Sequence, residues 1–258
     1  SNVETLNLTA TGALIVDTRD ITGATAYKNE SSTNTMTLNN LANIPSISLN
    51  SSGNNNMTVN FTDAAIVGGS DDLALGVNNV TTTTLTVTDA GGTTNELETI
   101  TINSTSLAST IGTLTTAGVE TSTLNVTGDA NLTITNAVDA KITTIDATNF
   151  TGVASITAGT GAAATATMKG GSKGDTLTGG AGNDIITGND GADTLDGGTG
   201  GVDNIDGGAG NDIITAAAGV LTAADTIAGG EGSDTISYSA AETAVDADYT
   251  LTTSVEKL

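Results

Sequence analysis

The chain has 258 residues and a formal net charge of −23, with 29 Asp and Glu against 6 Lys and Arg and no His, Cys or Trp. That balance makes nucleic acid and anionic membranes poor partners and cations good ones. It also excludes Ser-His-Asp and Cys-His catalysis, disulfides, and zinc sites built on nitrogen or sulfur.

From Leu6 to about Met168 the chain reads as short β-strands. Leu6-Asn7-Leu8, Leu14-Ile15-Val16, Met36-Thr37-Leu38, Ile47-Ser48-Leu49 and Met57-Thr58-Val59 come first. Leu85-Thr86-Val87, Ile100-Thr101-Ile102, Leu124-Asn125-Val126, Leu132-Thr133-Ile134 and Ile142 to Ile145 follow. Apolar residues alternate with Thr or Asn, which is the period of a half-buried strand. A loose repeat opens several strand pairs: Val3-Glu4-Thr5-Leu6, Leu97-Glu98-Thr99-Ile100 and Val119-Glu120-Thr121. Residues 1–168 are therefore expected to form a Thr-rich parallel β-solenoid, or β-helix, with a β-sandwich of immunoglobulin type as the alternative. A sandwich normally brings a buried aromatic anchor, and aromatics are 2% of this chain, so the solenoid leads.

Gly68 to Leu75 resembles a degenerate glycine-aspartate turn and reads better as a polar turn than as an ion site. Helix signals are few. Ser239-Ala240-Ala241-Glu242 has the form of a capping box before Thr243 to Ala247. Thr222-Ala223-Ala224-Asp225 and Leu107 to Leu114 are two weaker candidates.

The most informative stretch runs from Gly170 to Ser237. Gly179 to Thr187 (GGAGNDIIT) recurs letter for letter at Gly207 to Thr215. Gly229 to Ser237, Gly188 to Asp196 and Gly170 to Thr178 follow the same plan, the last with Lys173 at its fourth place. Gly197 to Asp206 has one residue more, which moves its aspartate to Asp203. Ala216 to Ala228 has lost its glycines but keeps Asp225-Thr226-Ile227. The plan is G-G-x-G-x-D-x-U-x, where U is a large aliphatic. A flexible linker does not set an aliphatic two residues after each Asp in phase.

This run resembles the RTX nonapeptide, the repeat of calcium-loaded parallel β-rolls in secreted bacterial proteins. The fold class expected is all-β, a parallel solenoid (residues 1–168) continuing into an RTX β-roll (169–237), with 238–258 as a cap or the start of a further solenoid segment. Alternate turns fall on the same side of such a roll. Asp175, Asp193, Asp212 and Asp234 are then expected in one ladder, and Asp184, Asp203 and Asp225 in the other. The lost glycines of Ala216 to Ala228 are expected to interrupt the second ladder between Asp203 and Asp225.

Carboxylates and carbonyls with no nitrogen or sulfur ligand select a hard ion, calcium in preference to magnesium. The resemblance places the further ligands in the loops, chiefly at positions one to four. These are Gly170 and Ser172; Gly179, Gly180, Ala181 and Gly182; Gly188, Asn189, Asp190 and Gly191; and Gly197, Gly198, Thr199 and Gly200. Gly207, Gly208, Ala209 and Gly210 continue the series, with Gly229, Gly230, Glu231 and Gly232. About four or five calcium ions are expected.

Without metal, the stacked carboxylates repel and the glycines keep a large unfolded entropy. At ~1 mM calcium and a ~0.1 mM dissociation constant, linkage contributes about 1.4 kcal/mol per site. Four or five sites give roughly 6–7 kcal/mol, on the scale of a whole domain's stability. The roll is expected to stay unfolded inside the cell and to fold outside it.

The resemblance implies type I secretion and a place at the bacterial cell surface. An acidic Thr/Ala/Gly/Asn-rich β chain looks like the lattice-forming part of a surface-layer (S-layer) protein, which self-associates into a sheet. An RTX adhesin module and the calcium-binding C-terminal part of a secreted protease or lipase are the alternatives. Ser254 to Leu258 echoes Asn2 to Leu6, as expected of a piece of a longer repeating protein. No apolar run approaches the roughly 20 residues of a membrane span, so no transmembrane segment is expected. The Gly159 to Ala164 run lacks the helix that a dinucleotide site needs, and no catalytic constellation is evident.

Overall fold

A computed structural model of the chain describes residues 4–50, 56–66, 70–89, 97–116, 120–159, 165–216, 224–238, 250–253 and 255–257. The chain divides into two compact units, Ser1–Asn136 and Ala137–Leu258.

In the first unit the strands are β1 (Thr5–Leu8), β2 (Leu14–Asp17), β3 (Ala26–Glu30), β4 (Met36–Leu41), β5 (Ser46–Asn50) and β6 (Met57–Phe61). There follow β7 (Asp72–Asn78), β8 (Thr81–Asp89), β9 (Thr99–Ser104), β10 (Ser109–Thr115), β11 (Thr123–Gly128) and β12 (Leu132–Ile134). Each strand pairs in parallel with the strand two further on. Odd-numbered strands thus form one sheet and even-numbered strands another. This is a parallel solenoid. The sandwich alternative fails, because its sheets are antiparallel.

The alternation in the sequence sets the inside and the outside. Met36, Met57 and Leu85 stack in register on the inner side of the even sheet, and Ile47, Leu75 and Ile102 on that of the odd sheet. All six are buried. Thr37, Thr58, Thr86 and Thr115 stack on the outer side of the even sheet. Side chains bonded between successive coils lie 20 to 29 residues apart, because inserted loops are absorbed outside the strands. The loose Glu repeat marks the entry to odd strands: the carbonyl of Glu4 accepts the amides of Thr25 and Ala26, and that of Glu98 those of Ser122 and Thr123.

Leu107 to Leu114 is not helical. It enters β10, where Ile111 and Leu114 face inward and Gly112 lies so close to the Thr83 carbonyl that a Cβ would sit 2.4 Å from it. Pairing with β8 overrides the weak local helix preference. Among the described residues the helical element is the short 3₁₀ turn Asp63–Ala65. Ser239 to Ala247, Thr222-Ala223 and Gly68-Gly69 lie outside the described residues.

The second unit has β13 (Thr144–Asp146), β14 (Ala154–Thr157), β15 (Thr167–Lys169), β16 (Thr176–Thr178), β17 (Ile185–Asp190) and β18 (Thr194–Asp196). It ends with β19 (Asn204–Ala209), β20 (Ile213–Ala216), β21 (Thr226–Glu231), β22 (Asp234–Tyr238), β23 (Thr250–Thr253) and β24 (Val255–Lys257). The winding rule is the same. Here the coil tightens: the amide of Asp175 bonds the carboxylate of Asp193, 18 residues on, so two nonapeptides make one coil. Met168, Ile186, Ile205 and Ile227 stack on one inner face, and Ile156, Leu177, Leu195, Ile214 and Ile236 on the other. All are buried. From Leu177 onward these are the U positions of the repeat. The residue before each U points outward, so Ile185 and Ile213 are exposed.

Candidate metal centre

At the corners of this unit the repeat aspartates are stacked and buried, each at most 1% exposed. The amide of each donates to Oδ1 of the next in its stack. Asp175 bonds Asp193 at 2.6 Å, Asp193 bonds Asp212 at 2.8 Å, and Asp212 bonds Asp234 at 2.9 Å. On the other corner Asp184 bonds Asp203 and Asp203 bonds Asp225, both at 2.8 Å. The two stacks contain the residues that the half-coil period groups together. The second does not break at Asp225, although its partner is 22 residues away. The strands on either side hold register, Asn204 with Thr226, so the extra residues are accommodated outside the ladder.

Each stack begins on an alanine. The amide of Ala154 donates to Asp175 and that of Ala166 to Asp184, both at 2.7 Å. These alanines stand in the aspartate position of the preceding coil.

The second carboxylate oxygen divides the turns. Oδ2 of Asp175 accepts the amide of Gly171 at 2.6 Å, and Oδ2 of Asp184 accepts that of Gly180 at 2.8 Å. Oδ2 of Asp193, Asp203 and Asp212 is buried with no donor from the chain. A buried carboxylate oxygen left in this way is costly unless a cation meets it. Protein cations do not: among the described residues the ion pair present joins exposed Arg19 and Asp17, in the other unit.

Burial pushes the Asp193 carboxyl up to about 7, with the charges of Asp175, Asp212 and Asp190 adding to the effect and the bond from the Asp175 amide opposing it. Burial likewise pushes Asp203 up to about 6, with Asp184, Asp225 and Asp196 adding. Asp175, Asp184 and Asp212 are also raised by burial, against the pull of their amide donors.

The first glycine of each turn lines a cradle around Oδ2. A Cβ on Gly188 would lie 2.3 Å from both Oδ2 of Asp193 and the carbonyl of Gly207. On Gly207 it would lie 2.4 Å from Oδ2 of Asp212 and 2.2 Å from the Gly229 carbonyl. On Gly197 it would lie 2.3 Å from Oδ2 of Asp203. Gly170 and Gly179 show the same pairing with Asp175 and Asp184.

The remaining loop residues take two arrangements. On the odd side the strands run on into the turn, so Asn189, Gly208 and Gly230 form a ladder, as do Asp190, Ala209 and Glu231. The carbonyls of Ala209 and Glu231 are there engaged by the amides of Gly191 and Gly210. On the even side Gly179 to Gly182 and Gly197 to Gly200 stay in loops. The Gly180 carbonyl is taken by the Thr199 amide. Ser172 donates its amide to the Phe150 carbonyl, which ties the first turn to the coil before it. Gly232 closes the last turn at positive φ.

Among the described residues no three acidic side chains converge on one point. A cation here would be held by one or two carboxylates and by glycine carbonyls. Orphaned Oδ2 atoms, cradles too tight for a Cβ and all-oxygen donors fit a hard divalent ion such as calcium. The residues sequence reasoning missed are the second-position amides of Gly171 and Gly180 and the alanines that end the stacks. The loss of Asp at Ala154 and Ala166 is the signal for the latter.

The family model of the RTX calcium-binding nonapeptide repeat (four copies) matches residues 169–201, 198–220 and 221–239. Neither the curated proteins nor the solved structures yield a match. Among the described residues no helix is long and apolar enough to cross a membrane.

Proposed function

Because residues 169–239 are RTX calcium-binding nonapeptide repeats, we propose that calcium completes the folding of this repeat roll outside the cell and thereby switches on self-association into a surface layer. The chain is then a structural, secreted protein and not an enzyme. The observation that carries this reading is the row of buried, donor-less Oδ2 atoms of Asp193, Asp203 and Asp212. Calcium, when bound, brings positive charge to oxygens of neighbouring turns.

The chain supplies the rest. Asp193, Asp203 and Asp212, with the carbonyls of Gly207 and Gly229, offer the oxygens. The U-position aliphatics exclude water behind them. The ladder bonds from each aspartate amide orient the carboxylates in the folded coil. Lys173 lies in the first turn and brings a positive charge to that end.

A net charge of −23 opposes contact between copies. Neutralising the stacks lowers that barrier at the moment the roll becomes rigid.

Circular dichroism with calcium and with EGTA tests the folding step, and electron microscopy under the same conditions tests assembly. Calcium-dependent β structure and two-dimensional sheets are expected. A spectrum indifferent to chelation would remove the calcium reading. Calcium-folded particles that stay monomeric would remove only the lattice.

A further inference from the structure

Asp184 and Asp212 hold the same place in two identical nonapeptides, yet their carboxylates end differently. Oδ2 of Asp184 accepts the Gly180 amide, whereas Oδ2 of Asp212 has no donor. Asp175 behaves like Asp184, and Asp193 and Asp203 like Asp212. The letters of the turn do not decide this.

The backbone of the second residue does. In the later turns the second residue takes positive φ: 73° at Asn189, 96° at Gly198 and 98° at Gly208. That turns its N–H away from the carboxylate. Gly171 and Gly180 have no such φ. Contact with the coil before is common to both groups: a Cβ on Gly171 would sit 2.3 Å from the Phe150 carbonyl and one on Gly180 2.4 Å from that of Gly159, while one on Gly198 would sit 2.2 Å from the Gly180 carbonyl and one on Gly208 2.1 Å from that of Asn189. Phe150 is fully buried.

We propose that the turns Gly170–Asp175 and Gly179–Asp184 form a metal-independent starting rung, and that calcium is taken up only by the turns stacked beyond it, from Asp193 onward. This rests on the calcium reading of the repeats. An N–H at Oδ2 places the positive end of a dipole where a cation would otherwise stand. With Ala154 and Ala166 on Oδ1, both oxygens of Asp175 and Asp184 are met by the chain itself. The rung closes against coil 147–159 without an ion and offers a finished edge. Folding then runs from this edge toward Asp234, coil by coil.

Hydrogen exchange on the whole chain, with calcium and after stripping it, tests the proposal. The amides of Ala154, Ala166, Gly171 and Gly180 are expected to exchange at the same rate in both. Those of Asp193, Asp203 and Asp212 are expected to exchange about tenfold faster or more without calcium, the factor one lost site confers. In parallel, Asp175→Asn is expected to lose the calcium-independent protection yet bind the parent's number of ions, while Asp212→Asn binds fewer.

If calcium protects the first four amides as much as the later ones, the starting rung is wrong. If Asp175→Asn lowers the ion count, it is wrong as well. If calcium changes no amide, the calcium reading itself has failed.

Discussion

The amide of Asp193 donates to Oδ1 of Asp212 at 2.8 Å, while Oδ2 of both is buried with no donor from the chain. One carboxylate thus closes the backbone of the preceding coil with one oxygen and leaves the other for an ion. Asp193→Asn separates the two tasks, because the amide keeps an acceptor and drops the charge. In metal-stripped protein the variant is expected to be more stable than the parent, since the burial and like-charge penalties at Asp193 vanish. In calcium the order reverses. Asp193 lies between two neighbours in its stack, so two ions loosen, worth about 3 kcal/mol at tenfold excess over the dissociation constant. Denaturation midpoints in both conditions, with calorimetric stoichiometry, check the crossing. An unchanged ion count would contradict it.

The same carboxyls give the metal-free chain an unusual pH response. Their folded values, about 7 for Asp193 and about 6 for Asp203, lie above the ~3.9 of an unfolded Asp. The folded form therefore binds more protons, and stability falls as pH rises through the window from about 4 to 7. Metal-stripped protein is expected to resist urea better near pH 4.5 than near pH 7.5. Calcium binding runs the other way, weakening as protons compete. A urea midpoint that rises with pH in the metal-stripped chain would refute the assignment.

Gly188 is a test of the cradle. A Cβ there collides with Oδ2 of Asp193 and the Gly207 carbonyl together. Gly188→Ala is expected to cost about 1–3 kcal/mol from crowding alone and to lower calcium affinity. Calorimetry and thermal unfolding in calcium read both. Parent-like affinity would mean that Oδ2 does not face the ion.

Ile185 and Ile186 are adjacent and opposite. Ile186 is buried between Met168 and Ile205, and Ile185 is exposed beside Thr167 and Asn204. Ile186→Ala is expected to cost about 2–5 kcal/mol, and Ile185→Ala to stay within about 0.5 kcal/mol. Equal losses in chemical denaturation would place both side chains on one face.

The sequence carried the strand periods, the inward U positions and the membership of each aspartate stack. All three follow from local rules: alternation, and a half-coil of nine residues. What it concealed came from neighbours in the next coil. Strands such as Ala26–Glu30 and Ser109–Thr115 hold Asn, Gly or Lys at places that blur the alternation. They are strands because parallel partners flank them. The unbroken ladder at Asp225 was hidden because lost glycines change the loop and not the register of Asn204 with Thr226. The difference between Asp184 and Asp212 is the extreme case, since their own nonapeptides are identical.

Those identical nonapeptides also land on opposite sides of the molecule, Ile186 in the odd sheet and Ile214 in the even one. A single repeat is thus a half-step, and the array has parity. Losing one nonapeptide would move every later strand to the other sheet and each later aspartate to the other corner. Losing a pair would only shorten the stack. Growth and trimming of such an array are therefore tolerated in steps of eighteen residues, the separation of Asp175 and Asp193.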